Sequence, residues 1–239
     1  MTTIIADVET TTWSKGSPFD TRNKLVCIGL QDLASDEVFV YYEENFELAR
    51  QKLKEATRII GFNLKFDPHW LRKYGMLPDD LRDVWDCQLF EFMLSKQRWR
   101  YPSLEETVVR RFNEHKVDVV KEQYWEQGIN TDEIPRDVLT IYTDQDIRLT
   151  TKTYLAQQDE IVDWYKLFRV HCADLLVLEE MEWNGLYLDV NQSEERAEHD
   201  LGIIEDIEKK LRAGYESVPI NFDSTDHLSA YLYGGAIVS

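Results

Sequence analysis

An α/β fold is predicted for this chain: a mixed sheet flanked by helices, followed by a smaller, mostly helical segment. Three observations predict it. Across residues 3–62, apolar runs of strand length alternate with loops and one amphipathic run of helical spacing. From Asp67 onward the apolar spacing becomes mostly helical. The composition of the 239 residues supports a packed core, with 43% hydrophobic and 12% aromatic residues. These fractions set aside a disordered chain despite 30% charged residues.

The elements follow in order. Residues 3–7 (TIIAD) read as a short buried strand, and 24–30 and 37–42 as the next two. A loop with Gly16 and Pro18 separates the first pair and the turn LASD the second, which gives a three-strand meander. A helix over 46–56 leads to a fourth strand at 58–62. Another helix lies within 68–76 and stops near Gly75. Residues 84–96 are apolar at helical spacing through Leu89, Phe90, Met93 and Leu94. Ser103, with Glu106 three residues later, fits a capping box that opens a helix ending near Phe112. Residues 113–134 are polar and irregular, and 136–156 read as a strong helix. Beyond it lie an apolar-striped helix (167–183), an Asn184-Gly185 turn and a strand-like LYLDV (186–190). An amphipathic helix at 192–213 carries Ala197, Leu201, Ile204, Ile207 and Leu211 on one stripe, and a short capped helix closes the chain. A boundary near 157–166 divides a domain of residues 1–160 from a helical segment of 161–239.

Lys and Arg number 27 against 45 Asp and Glu, a net charge of −18. Such a chain does not grip nucleic acid mainly through its phosphates. A metal-dependent nuclease stays possible, because its site must be acidic to hold cations. Cys27, Cys87 and Cys172 are widely spaced with no CxxC pair, and read as reduced core thiols. The N-terminal MTTIIADVETTTW has no basic stretch followed by a long apolar run, so no signal peptide is expected. No run of about 18 apolar residues occurs, and no membrane association is expected.

Four acids carry the chemical signal. Asp7 and Glu9 are two apart at the end of a predicted strand, so both side chains can face the same way. Asp67 follows a predicted strand and opens a helix, a position that also suits a helix cap; Asn63 precedes it by four residues. Tyr142 and Asp146 are four apart on a predicted helix and share a face, whereas Asp144 points elsewhere. Each piece alone has an ordinary explanation as solvated or capping acid. Taken together, four convergent carboxylates need positive charge between them, and a pair of divalent cations is the natural candidate. All-oxygen ligands favour Mg²⁺ or Mn²⁺ over zinc.

The order, spacing and flanks of IIADVET, GFNLKFD and YTDQD resemble the DEDD superfamily of 3′→5′ exonucleases. Tyr142, four before the last Asp, places the resemblance in the tyrosine branch; the histidine branch would carry His where this chain has Ile141. More closely, GFNLKFDPHWLRKYGM, DVWDCQLFEFML with Asp86, and YTDQDIRLT resemble the proofreading domain of family-A DNA polymerases. LVLEEMEWNGLYLDV and NFDSTDHLSAYLY resemble the base of that family's thumb, more weakly. Two departures stand out. Phe62 replaces a residue that is often polar in relatives. Polymerase palm carboxylates and the fingers helix have no counterpart in these residues, so no polymerase activity is expected.

The resemblance implies a ribonuclease H-like fold, a cytoplasmic setting and a two-metal hydrolysis of DNA from a single-stranded or frayed 3′ end. Asp7, Glu9 and Asp146 would hold one metal. Asp7 would be the main ligand of the other, with Asp67 acting through waters. Tyr142 would orient the attacking water. Glu9 would also touch the terminal 3′ hydroxyl, with Asn63 and Phe62 beside the substrate. Phe62, Phe66 and Trp70 are candidates to stack on bases, although core packing is the plainer expectation for each. Trp13 and Lys15 are candidates to line the substrate entrance. His69 reads as a surface or partner-facing residue. Two alternatives accompany this reading. One is an RNA-trimming nuclease of the tyrosine branch. The other is an interaction module whose apolar stripe at 161–214 docks on a separate polymerase subunit, or on the remainder of a polymerase.

Overall fold

A computed structural model describes residues 2–79, 81, 83–98, 100–116, 119–160, 164–213 and 220–236. Strands β1 (Thr2–Thr10), β2 (Leu25–Asp32) and β3 (Val38–Tyr42) form the expected antiparallel meander. Helix α1 (Phe46–Lys54) buries Phe46, Ala49 and Leu53 and leads to β4 (Ala56–Gly61), which pairs parallel with β1. The connection therefore crosses back over the sheet and puts β1 at its centre. Helix α2 (Phe66–Lys73) leads on to a fifth strand, β5 (Val84–Asp86), parallel to β4. The sheet order is β3-β2-β1-β4-β5.

The fifth strand differs from the sequence reading, which made 84–96 one helix. Val84, Trp85 and Asp86 pair with Ile59, Ile60 and Gly61, and only from Cys87 does the chain turn helical, as α3 (Cys87–Leu94). A three-residue strand is too short to show a readable period, so a pairing partner elsewhere in the chain determines its state. Strand β1 also runs three residues further than expected, which puts Asp7 and Glu9 inside the strand.

Helix α4 (Leu104–Phe112) begins with the expected capping box: Glu106 N–H donates to Ser103 Oγ and Ser103 N–H to Glu106 Oε2. The polar run that follows contains a short α5 (Val119–Gln123) and two 3₁₀ turns, Trp125–Gln127 and Thr131–Glu133. Helix α6 (Arg136–Asp159) packs across β1, β2 and β3. Helix α7 (Tyr165–Asn184) buries Phe168 and Cys172. Phe168 closes an aromatic cluster with Trp85 and Phe90, at ring-centroid distances of 4.6 and 5.2 Å. Cys27, Cys87 and Cys172 are free and buried.

Two compact units result, Met1–Gly185 and Leu186–Ser239. Helix α7, assigned from sequence to the second segment, packs with the first, because Phe168 fills the core and Arg72 of α2 forks onto buried Glu179. In the second unit, α8 (Val190–Arg212) is capped by Asp189 and α9 (Thr225–Tyr233) by Ser224. Residues 186–189, expected as a strand, are not extended into any sheet; Leu186 and Tyr187 are almost fully exposed, and a lone strand leaves its backbone groups unpaired. The expected stripe of Leu201, Ile204, Ile207 and Leu211 is exposed. No described helix is long and apolar enough to cross a membrane.

Candidate active site

Side-chain alternation on β1 sends Asp7 and Glu9 to one face. Opposite them on β2 stand Gly29, in register with Asp7, and Cys27, in register with Glu9. Gly29 is the residue that lets α6 approach. A Cβ there would lie 2.6 Å from Thr143 Cγ2 and 3.0 Å from Ile147 Cγ1. With no side chain at 29, α6 lies close on the strands and carries Asp146, between those two contacts, to Asp7 and Glu9. One oxygen from each of the three acids lies within 4.8 Å of the others.

Asp67 arrives from the other side of β1. It sits in the first turn of α2, yet its Oδ1 accepts the N–H of Val8 on β1 at 3.1 Å instead of capping its own helix. The turn that delivers it is held by Asp86. This buried carboxylate accepts backbone N–H groups from Asn63 (3.2 Å), Leu64 (2.9 Å), Gln88 (2.8 Å) and Leu89 (3.2 Å), so it caps α3 and fastens the β4–α2 turn together. Asn63 itself is exposed and takes the left-handed conformation, φ +63°, a backbone form that asparagine tolerates. Phe62 and Phe66 are half-buried against the main core.

Tyr142 lies one turn before Asp146, 8% exposed, with Trp125 edge-on to its ring at 5.7 Å. Its face is covered by a residue to which the sequence reading gave no role. Lys116 Nζ stands 3.8 Å from the Tyr142 ring centroid and 2.6 Å from Asp146 Oδ2. Lys116 lies in a polar stretch without periodicity, so only its positive charge near four acids could have drawn notice. Gly29 had a clearer signal, since a lone glycine inside an apolar strand marks close backbone approach.

Other sequence candidates lie elsewhere. Trp70 is fully buried, its Nε1–H donating to Gly16 O at 3.1 Å, and so cannot stack on a base. His69, expected at the surface, is 4% exposed, with Nε2 2.9 Å from Glu182 Oε2 and Nδ1 3.4 Å from Glu179 Oε1. The arrival of α7 buries it, an event invisible from the sequence around 69. Trp13 is half exposed with the Arg22 guanidinium over its ring, and Lys15 is exposed.

Burial and mutual repulsion dominate the electrostatics. The Asp7 carboxyl is raised to about 7, first by burial and then by the charge of Asp146, with Lys116 opposing. Glu9 and Asp67 are raised well above the usual carboxylate range by burial, and by the Asp7 charge. In Asp67 the Val8 N–H offsets part of the rise. Such a group of acids is costly in a folded protein unless a cation compensates it. Asp7 Oδ2 is buried with no hydrogen-bond partner, as a metal-ligand oxygen would be in the absence of metal. The donors are all carboxylate oxygens, which suits a hard divalent ion. The residues thus fit Mg²⁺ or Mn²⁺, with Asp7, Glu9 and Asp146 as the converging ligands.

No protein-family model matches the chain, and no curated protein matches it. Solved structures do resemble it. Brucella melitensis NrnC with bound Mg²⁺ superposes with a TM-score of 0.57 at 16% identity, covering 77% of this chain and 86% of that one. The same protein bound to pGG gives a TM-score of 0.50 at 13% identity, covering 79% and 88%. A structure described as the apo form of a nuclease gives 0.50 at 11% identity, covering 79% and 89%. At these identities the likeness is one of fold: a ribonuclease H-like mixed sheet with flanking helices.

Proposed function

We propose that this chain is a metal-dependent 3′→5′ exonuclease that shortens single-stranded oligonucleotides, releasing nucleoside 5′-monophosphates. The observation that carries the reading is the convergence of Asp7, Glu9 and Asp146 around a buried, unsatisfied Asp7 oxygen. The sheet that carries these acids is shared with a protein that binds Mg²⁺ and with the same protein bound to pGG.

Divalent ions held by these acids would supply the Lewis acidity for this chemistry, activating the attacking water and neutralising charge on the leaving oxygen. The chain's residues do the rest. Asp7, on the central strand, would hold metal together with Glu9 and Asp146. Asp67, fixed by the Val8 N–H, feels the Asp7 charge but stands outside the three converging acids, and would act through waters. Tyr142, held edge-on by Trp125, orients the nucleophile. Glu9, Asp67 and Asp146 are buried, so a single-stranded or frayed end is favoured over an intact duplex end.

The pGG complex of a fold neighbour supports short single-stranded oligonucleotides as ligands of such a site. Proofreading within a DNA polymerase, and a polymerase partner, rest on the motif resemblance alone. Cleavage of 5′-labelled single-stranded RNA and DNA, from dinucleotides upward, tests the proposal with Mg²⁺ or Mn²⁺. The expected result is a ladder shortening from the 3′ end, lost in EDTA and reduced at least about a thousandfold in Asp146→Ala, as befits removal of a metal ligand. Full activity in a folded Asp146→Ala protein would overturn the site.

A further inference from the structure

We infer that Lys116 is a resident counter-cation of this site: its ammonium offsets the charge of Asp146 and its neighbouring acids, and competes with a divalent ion for Asp146. The inference deepens the metal-site reading above and rests on it.

The geometry supplies the argument. The Lys116 side chain is 7% exposed and that of Asp146 11%, with Nζ 2.6 Å from Oδ2. An ammonium on Oδ2 occupies one of the carboxylate's lone-pair sites and repels a divalent ion approaching the same group. Removing a lysine ammonium from water is costly unless strong partners compensate it. Here the partners are one of the three convergent acids and the face of Tyr142, at 3.8 Å. The ammonium therefore rests on the two α6 residues that the proposed reaction needs.

The setting also allows exchange. Helix α4 ends at Asn113 in the left-handed conformation, and residues 114–116 belong to no helix or strand. The Lys116 backbone is fastened, because its N–H donates to Glu105 Oε2 at 2.6 Å. Its flexible four-carbon stem can thus swing away without unwinding an element. A divalent ion brings twice the charge and several oxygen ligands, so it can displace the ammonium. The lysine sets the threshold: it lowers the affinity for the first ion while sparing the empty site its full self-repulsion.

The test is a Mn²⁺ titration followed by electron paramagnetic resonance of the free ion, on the wild type and Lys116→Met. Removing the competitor should tighten binding about tenfold, equal to about 1.4 kcal/mol. A merely structural lysine would loosen binding when lost, the opposite sign. A second readout uses the wild type alone. Reductive methylation of Lys116, followed by peptide mass spectrometry, should rise on saturation with Mn²⁺, and it decides the matter if Lys116→Met does not fold. Equal or weaker Mn²⁺ binding by a folded Lys116→Met, or Lys116 equally protected with and without metal, would overturn the inference and leave the metal site standing. Failure of both proteins to bind Mn²⁺ would overturn the metal site and this inference with it.

Discussion

Asp7 shows how one residue can be costly to the fold while offering the charge that the proposed chemistry uses. Its carboxyl titrates at about 7 in the folded chain against 3.8 for the ordinary group, because burial and the Asp146 charge disfavour the ionised form. The sign of the stability linkage follows. The folded state holds this proton more tightly than the unfolded state, so the contribution is fully present below pH 3.8 and is lost as pH rises through 7. In EDTA, the melting temperature of the wild type relative to Asp7→Asn should therefore fall between pH 6 and pH 8. Mn²⁺ takes the ionised acids, so the rise in melting temperature that it produces should be larger at pH 8 than at pH 6. Scanning calorimetry of both proteins at the two pH values checks both signs. A wild type that gains on Asp7→Asn in EDTA as pH rises would contradict the account.

At the scale of elements, two residues that touch no substrate determine whether the acids meet. Gly29→Ala drives a Cβ against Thr143 and Ile147 and must lift α6 from the sheet. Overpacking of this kind costs about 1–3 kcal/mol. The larger expected effect is on cleavage, because Asp146 moves with α6. Chemical denaturation together with a turnover assay should show activity falling more than stability; unchanged kcat would mean that the helix has slack. Asp86→Ala removes the acceptor of four backbone N–H groups at the start of α3 and at the turn into α2. Each buried donor left unpaired costs about 1–3 kcal/mol, so a loss of at least about 3 kcal/mol is expected in urea unfolding. Asp86→Asn keeps an oxygen acceptor and should lose less. Equal stability of the Ala variant and the wild type would show that the turn is held by something else.

For the whole molecule, the two compact units divide at Gly185, and every residue proposed for the site lies in the first. A chain ending at 185 should fold and keep its cleavage activity. A chain ending at 160 loses Phe168 from against Trp85 and Phe90, and loses the Glu179 partner of Arg72, and should be unstable or insoluble. Burying a side chain such as Phe168 contributes about 1.5–3 kcal/mol by itself, and the exposed aromatic face would favour aggregation. Circular dichroism and activity of the two truncations distinguish this division from one near 160. The sequence by itself determined the local geometry: Asp7 and Glu9 on one face of a strand, Tyr142 and Asp146 on one face of a helix, the meander, and the capping box at Ser103. These follow from the twofold and 3.6-fold periods of the backbone, which direct a side chain whatever the rest of the chain does. Tertiary structure alone made Val84–Asp86 a strand, buried His69 beneath α7, turned Asp67 to Val8 across 59 residues, and set Lys116 against Asp146. Period specifies which way a residue faces. Only packing between distant segments specifies what it meets, because that depends on which faces find complementary shape and charge once the core has closed.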